Sequence, residues 1–408
     1  MGNARKMMGR LALSALALFV MGAFGVADAK EYVFGWQGDR SGPTQNIGPY
    51  TGDGCQDYIK LFNKENGLGK GNTLRVFEID HGYNVPRGIE SYERHKEAGA
   101  LSIGLFGTPH TVALTPKLTE DKTLGTSPGF GSAEAANGEK YPYIFPIAAS
   151  YWSQMAIAVK FVESKIGNLK GKKIAYLFYD NPAGREPLPI LEDLSKQLGF
   201  KVQTYAVPPP GVEMRPQVLE IVRKYRADFV IAHIFGRGPS VSIKEFKRVR
   251  YPLNKVISFV WGAGESDMNA AGWDTAEGYY GIQFAGVGQD HKIIKKIIAM
   301  YGGKKPESMA ISVFYNRGVF GCAVHAEAIR RAVQEKGEKV TPHDVKVAME
   351  SIKNFDLDGF LPPLSFSARD HEGGGWGKVY QVKGGKFVEA SDWMQGYRKV
   401  VEKHVWGN

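Results

Sequence analysis

Residues 173–179, Lys-Ile-Ala-Tyr-Leu-Phe-Tyr, decide the fold class, because a short apolar run of this kind is typical of a strand buried inside a parallel sheet. A helical pattern follows at 185–198, and another strand pattern follows at 200–206. The alternation continues through helical patterns at 216–225 and 239–251 and strand patterns at 228–234 and 256–260. Strands that alternate with helices of this length predict right-handed βαβ units in a mostly parallel sheet.

A second series of the same kind occupies the first third of the chain. Strand patterns at 32–37, 73–80 and 101–106 alternate with helical patterns at 50–66 and 86–98. Each series has roughly 120 residues, which is enough for a doubly wound lobe with its own core. The 408 residues therefore predict an α/β protein with two doubly wound, Rossmann-like lobes.

The C-terminal part of the chain follows a different pattern. Residues 311–336 predict one long amphipathic helix, and Thr341 followed by Pro342 is typical of the start of another. Strand patterns at 374–382 and 386–389 are separated by a short turn that contains two glycines, which predicts a hairpin.

The first residues have the pattern of an export signal. Three basic residues precede an apolar stretch at 11–25, and Ala27-Asp28-Ala29 has the small residues of a cleavage site. We therefore predict that residues 1–29 are a signal peptide, that cleavage follows Ala29, and that the mature chain is exported, most simply to a bacterial periplasm. An N-terminal membrane anchor is the alternative.

The chain has two cysteines, Cys55 and Cys322. They could pair in an oxidising compartment, but they lie far apart in sequence and each falls in a helical pattern. We expect two separate buried thiols, with a disulfide as the alternative.

The sequence contains no pattern of a metal or cofactor site. The nine histidines form neither an HExxH motif nor a cluster with cysteine, and Gly236-Arg237-Gly238 lacks the third glycine of a dinucleotide loop. We expect neither a metal ion nor a cofactor.

The formal net charge of +10 is the one unusual feature of the composition. Basic runs at 223–226, 244–250 and 292–296 lie in helical patterns, and aromatic residues do not interleave with them as in a nucleic-acid groove. We therefore expect solvated helix faces and no nucleic-acid partner, with some attraction to anionic ligands and membrane surfaces.

The loops that follow the predicted strands are the candidate ligand site, because ligands of open α/β sheets bind outside the carboxyl ends of the strands. These loops combine glycines, hydroxyl groups and aromatic side chains, which suits a small ligand with an anionic or strongly polar end. The candidate ligand-binding residues are Arg40, Gly107, Thr108, Ser127, Gly129, Phe130, Tyr151, Phe235, Trp261 and Glu265.

Residues 125–129, Gly-Thr-Ser-Pro-Gly, match the G-x-S-x-G pattern of serine hydrolases. In those enzymes the residue after the serine donates its backbone N–H to the oxyanion hole, and here that residue is Pro128, which has no N–H. An exported hydrolase is therefore the weaker alternative, and we expect no catalytic residue.

Three segments resemble a known family. Arg40-Ser41-Gly42-Pro43-Thr44 with the glycine-rich approach to Asp57-Tyr58, the loop 63–71, and the segment 103–108 are similar in order and spacing to type I periplasmic solute-binding proteins. The most similar group is the branched-chain amino acid (leucine, isoleucine and valine) binding family of ABC importers. The resemblance covers essentially the whole predicted mature chain.

The resemblance implies two lobes around a cleft, joined by a hinge of three crossings. The crossings are expected near 146–150, 284–288 and 361–365. The first lobe would comprise 31–147 and 287–362, and the second lobe 148–286 and 363–408.

The resemblance also implies roles for individual residues. Thr108 corresponds to the hydroxyl group that receives a ligand carboxylate, Gly129 to a backbone contact, Phe235 to an aromatic wall and Glu265 to the acid that pairs with a ligand amine. The family's second-lobe tyrosine is missing, since Ala183-Gly184 stands in its place. A branched-chain amino acid, a hydrophobic or aromatic carboxylate, and an amide or urea all stay open as ligands.

The function implied is the capture of a small molecule between closing lobes and its delivery to the membrane permease of an ABC importer. Such a protein makes and breaks no bond, so we expect no enzymatic activity, and we expect a monomer. A ligand-sensing module that serves a signalling partner is the alternative.

Overall fold

The structure is a computed structural model that describes residues 29–407, so the predicted signal peptide lies outside the described residues except for Ala29. The first sheet is built from β1 (Glu31–Gly38), β2 (Thr73–Asp80), β3 (Ala100–Gly104), β4 (Leu124–Thr126) and β5 (Ile144–Phe145). These strands are parallel and lie in the order β2-β1-β3-β4-β5. The order is that of a doubly wound sheet, as predicted.

The second sheet has a parallel part and an antiparallel edge. Its strands are β6 (Lys173–Tyr179), β7 (Lys201–Val207), β8 (Phe229–His233), β9 (Val256–Ser258), β10 (Tyr280–Gln283), β11 (Lys378–Lys383) and β12 (Lys386–Glu389). They lie in the order β12-β11-β10-β9-β8-β6-β7, and the hairpin β11–β12 is antiparallel. The predicted hairpin is confirmed.

Helices cover the sheets. In chain order they are α1 (Gly48–Lys64), α2 (Val85–Glu97), α3 (Thr108–Glu120), α4 (Tyr151–Ile166), α5 (Pro182–Arg185), α6 (Leu188–Leu198), α7 (Arg215–Leu219, continued by a π-helical segment Glu220–Tyr225), α8 (Gly238–Arg248), α9 (Glu265–Ala271), α10 (Trp273–Ala276), α11 (Lys292–Met300), α12 (Ser312–Lys336), α13 (Pro342–Glu350) and α14 (Arg398–Trp406). Among residues 29–407 no helix is long and apolar enough to cross a membrane.

The apolar runs of the sequence form the centre of each sheet. Every residue of β8 is buried, and so is all of β6 after Lys173. A strand between two parallel neighbours is covered by helices on both faces, which is why these strands lack an alternating polar pattern.

The expectation of two separate thiols is wrong, because Cys55 and Cys322 form a disulfide between α1 and α12. Glycines let the two helices approach closely: a Cβ atom at Gly54 would lie 2.0 Å from the carbonyl oxygen of Tyr315, and one at Gly318 would lie 1.9 Å from that of Thr51. The two cysteine Cα atoms are consequently only 5.2 Å apart, although 267 positions separate the residues in sequence.

The chain passes between the sheets after β5, after β10 and before β11, and the long helix α12 returns to pack on α1 of the first lobe. Around the third passage, the ring of His371 still stacks on Phe145 of β5, with centroids 3.5 Å apart. This contact favours a crossing after residue 371, later than the predicted 361–365. The division into 31–147 plus 287–362 and 148–286 plus 363–408 stays a prediction.

Candidate ligand-binding cleft

A narrow cavity lies between the carboxyl ends of the two sheets, and the space between its atoms is about 340 Å³ when the open mouth is included. Its lining is mostly aromatic and apolar, with hydroxyl groups at a few points. The lining residues are Thr44, Ile47, Tyr83, Phe106, Gly107, Thr108, Phe130, Tyr151, Phe235 and Trp261. Loops from both lobes contribute to it, which is the position that the strand order predicts for a ligand.

The structure brings most of the predicted site residues together. Those that line the cavity are Gly107, Thr108, Phe130, Tyr151, Phe235 and Trp261. The prediction missed Thr44 and Phe106, although both fall in strand-end loops, and it missed Ile47 and Tyr83. Ile47 lies next to the start of α1, and Tyr83 follows β2, so strand-end position was the signal that could have identified Tyr83.

Thr108 begins α3 at the floor of the cavity. Its hydroxyl oxygen accepts a hydrogen bond of 3.2 Å from the backbone N–H of Gly131 and lies 3.4 Å from the hydroxyl of Tyr151. The preceding residue, Gly107, has a φ of 95°, and a Cβ there would lie 2.9 Å from the ring of Tyr83. Glycine at this position therefore gives the start of α3, with its unpaired amides, a place in the cavity wall.

Trp261 forms the wall on the side of the second lobe. Its ring centroid lies 5.8 Å from that of Phe130, and its indole N–H donates a hydrogen bond of 2.9 Å to the carbonyl oxygen of Gly129. The guanidinium carbon of Arg317 lies 4.6 Å from the ring centroid of Trp261, and the Arg317 side chain is buried behind that ring. Contacts with Gly129 and Phe130 of the first lobe and with Arg317 of α12 therefore position Trp261 in the cavity wall.

Gly129 lies just outside the cavity lining. Its carbonyl oxygen accepts hydrogen bonds from the side-chain amide of Gln154 at 3.0 Å and from Trp261. Both acceptor positions are therefore engaged with protein donors, and Gly129 positions the wall of the cavity.

Arg40 also lies outside the lining. Its guanidinium donates to the carboxylate of Glu78 at 2.7 Å and to that of Asp53 at 2.9 Å. The hydrogen bonds to Glu78 and Asp53 raise the pKa of Arg40, although burial opposes them. The carboxylates of Glu78 and Asp53 compensate the charge of Arg40, and Arg40 does not line the cavity.

Glu265 joins the lobes outside the cavity. Its carboxylate accepts hydrogen bonds from the hydroxyl of Ser312 and from the backbone N–H of Val313, at the start of α12. Burial raises the pKa of Glu265, while the bond from Ser312 lowers it. A carboxylate at a helix N-terminus is favourable, and Glu265 does not line the cavity.

Ser127 is fully buried and does not line the cavity. Its hydroxyl oxygen has no hydrogen-bond partner among the described residues, so no base is in contact with it. The geometry needed by a serine nucleophile is not formed.

Two buried histidines stand behind the cavity. The rings of His81 and His110 stack with centroids 4.0 Å apart, and His110 lies 5.3 Å from the ring of Tyr83. Burial lowers the pKa of His110 to about 4. These rings therefore support the cavity wall in the neutral form.

Contacts across the mouth of the cleft hold the lobes together. The side-chain amide of Asn46 donates to the carbonyl oxygen of Gly236 at 3.3 Å, and the hydroxyl of Ser266 donates to the carbonyl oxygen of Asn46 at 3.0 Å. These bonds join the loop after β1 to loops of the second sheet, so the structure has a closed cleft.

Comparisons with solved structures agree with this architecture. A structure described as an ABC transporter permease from the Pseudomonas fluorescens group is 29% identical, with a TM-score of 0.84 and coverage of 92% of this chain and 95% of that one. A branched-chain amino acid ABC transporter protein from Thermus thermophilus, with bound valine, is 21% identical, with a TM-score of 0.81 and coverage of 93% and 100%.

A fatty acid ABC transporter substrate-binding protein from Thermomonospora curvata is 18% identical, with a TM-score of 0.78 and coverage of 91% and 94%. No curated protein matches the chain significantly. The model of the family described as "Periplasmic binding protein" matches residues 31–386. The chain therefore belongs to the periplasmic binding protein family and has its two-lobed type I fold.

Proposed function

We propose that the protein is the solute-binding component of an ABC importer and that it captures a small hydrophobic or aromatic carboxylate. The observation that carries this proposal is the chemistry of the cavity: the described residues that line it are aromatic, aliphatic or hydroxyl-bearing, and none carries a charge.

An uncharged lining disfavours an α-amino acid. The ammonium group of a bound zwitterion would lose its hydration and would need a carboxylate partner inside the cavity. The predicted acidic partner, Glu265, is engaged by Ser312 and Val313 instead. A ligand with an ammonium group would therefore bind with an unpaired buried charge.

A carboxylate has partners in the same cavity. The hydroxyl of Thr108 and the backbone N–H groups of Thr108 and His110 at the start of α3 are suited to a negative group, whereas Pro109 between them has no N–H. The rings of Phe106, Phe130 and Trp261 then surround an apolar body. Among the structural relatives, one is described with bound valine and another as a fatty acid binder, so this fold serves both classes of cargo.

The proposed mechanism is ligand capture by closure. The open form binds the ligand through first-lobe loops around Thr108, and closure adds Phe235 and Trp261. A ligand that contacts both lobes stabilises the closed form by these added contacts. The closed form then docks on the membrane permease. We further propose export to the periplasm after cleavage at Ala29, a monomeric state, and no enzymatic activity.

A thermal-shift panel tests the ligand class. The protein is stripped of bound solute by unfolding and refolding without reductant, and then melted with benzoate, phenylacetate, leucine, isoleucine, valine and urea in turn. We expect the aromatic acids to raise the melting temperature and the amino acids to leave it unchanged. Stabilisation by leucine, isoleucine or valine without any by the acids would contradict the proposal.

A further inference from the structure

Positive charge is concentrated at the end of the second sheet where its parallel strands begin, which is the end away from the cavity. Strands β6, β7, β8 and β9 are parallel and all begin at this end. The exposed cations in the chain segments that lead into them, named here the basic edge, are Lys170, Lys201, Arg223, Arg226, Lys247 and Arg250.

These segments form one continuous surface. Lys173 pairs in register with Lys201 at the start of β6 and β7. The hydroxyl of Tyr225 donates to the carbonyl oxygen of Lys201 at 2.8 Å, and that of Tyr251 donates to the carbonyl oxygen of Ala227 at 3.1 Å. The side chains of the basic edge therefore project from neighbouring loops.

The cations of the basic edge form no ion pairs within the described part of the chain, and Asp228 beside them accepts from the backbone N–H of Lys173 instead. None of its six members forms an ion pair with another described residue, whereas the adjacent Lys224 and Arg248 are paired with Glu220 and Glu245. A cluster of unpaired cations raises the local potential and attracts an extended anionic surface.

The corresponding edge of the first sheet differs. There, Lys96 contacts Glu93 and Asp121, and Lys117 contacts Glu93, at distances between 2.6 and 3.4 Å. Lys70 and Lys122, which precede β2 and β4, are exposed there without an ion pair to another described residue, but the exposed Glu97 and Glu120 lie in the same segments. The excess of positive charge is therefore larger at the end of the second sheet.

We propose that the basic edge docks on a bilayer that contains anionic phospholipid. Each cation near such a surface strengthens binding roughly fivefold. The edge lies at the opposite end of the strands from the cavity, ~20 Å away for strands of this length, so that docking would leave the cleft accessible. The inference does not depend on the class of ligand.

A nucleic acid fits this surface less well. Single strands bind to exposed aromatic rings on which the bases stack. Tyr251 is buried and the hydroxyl of Tyr225 is engaged with the backbone, so the edge offers charge without a stacking platform.

Two pairs of exposed cations, one in each lobe, have the same left-handed backbone conformation and can be replaced in the same way. Arg226 and Arg250 have φ values of 57° and 61°, and on the first lobe the exposed Lys70 and Lys122 both have similar values, 54° and 51°. Glycine is favoured in this left-handed region, so R226G/R250G and K70G/K122G each remove two charges without backbone strain.

The test is co-sedimentation with vesicles of equal parts phosphatidylglycerol and phosphatidylcholine, with pure phosphatidylcholine vesicles as reference. We expect the wild type to bind the anionic vesicles only, with affinity that falls as salt increases. R226G/R250G should bind at least roughly tenfold more weakly, while K70G/K122G stays near the wild type. Melting curves establish that both variants are folded.

Three results would overturn the proposal. The first is a wild type that sediments with neither kind of vesicle. The second is an equal loss of binding in the two double variants, which would indicate an effect of net charge alone. The third is tight binding of a single-stranded oligonucleotide by the wild type without any binding to vesicles, which would indicate a nucleic acid as the partner.

Discussion

The indole N–H of Trp261 donates a hydrogen bond of 2.9 Å to the carbonyl oxygen of Gly129, and this bond joins the two sides of the cavity. Trp261 follows β9 of the second sheet, whereas Gly129 follows β4 of the first. The bond can form only when the lobes are closed, so it should stabilise the closed form and fix Trp261 in the cavity wall at the same time.

Replacing Trp261 with phenylalanine keeps an aromatic wall and removes the hydrogen bond. We expect the affinity for any acid that stabilises the wild type to fall roughly fivefold, since a hydrogen bond of this kind contributes about 1 kcal/mol. Stopped-flow measurement should show the change mainly as faster dissociation. Trp273→Phe is the control, because Trp273 donates to Asn269 within the second lobe, outside the cavity. Equal affinities of the two variants would show that the hydrogen bond of Trp261 does not stabilise the closed form.

The hydroxyl of Thr108 is expected to bind the ligand carboxylate. Thr108→Val keeps the size of the side chain but removes the donor, and calorimetry should show a loss of ~1–3 kcal/mol in binding free energy. Thr108→Ser retains the hydroxyl and should bind nearly as the wild type does. If the valine variant binds as tightly as the serine variant, Thr108 does not contact the ligand.

The disulfide between Cys55 and Cys322 should stabilise the fold without affecting the cavity. It closes a very long loop, which restricts the unfolded chain, so C55S/C322S should lose about 2–5 kcal/mol of unfolding free energy. Chemical denaturation with and without reductant measures this loss. The reductant should destabilise the wild type and leave the double variant unchanged, and an insensitive wild type would contradict the disulfide.

Acid should destabilise the protein through His110. Burial lowers its pKa from 6.5 to about 4, so folding favours the neutral ring. The resulting stability is complete above pH 6.5 and is lost as the pH falls from there towards about 4. His110→Gln should reduce the fall in melting temperature between neutral and mildly acidic pH. His343→Gln, at an exposed residue of α13, is the control, and an identical acid response in both variants would refute the role of His110.

Much of the fold was predictable because the strands of both sheets carry the signal locally. The buried run of β6 and the hairpin β11–β12 can each be recognised from their own residues. The pairing of Cys55 with Cys322 could not, since it depends on how closely α1 and α12 approach at Gly54 and Gly318.

The site was predictable in position but only partly in detail. Strand-end loops identify Thr108, Phe235 and Trp261 because parallel strands present their carboxyl ends to one cleft. The same rule also selected Arg40 and Glu265, whose charges are engaged by partners distant in sequence. A loop sequence does not show which neighbours will neutralise its charged residues.

The central claim is that the cavity holds a hydrophobic or aromatic carboxylate rather than an amino acid. Calorimetric titration of one solute-free preparation with phenylacetate and with leucine tests it most directly. We predict that one phenylacetate binds per chain and that leucine gives no heat of binding. Saturable binding of leucine, with none of phenylacetate, would contradict it.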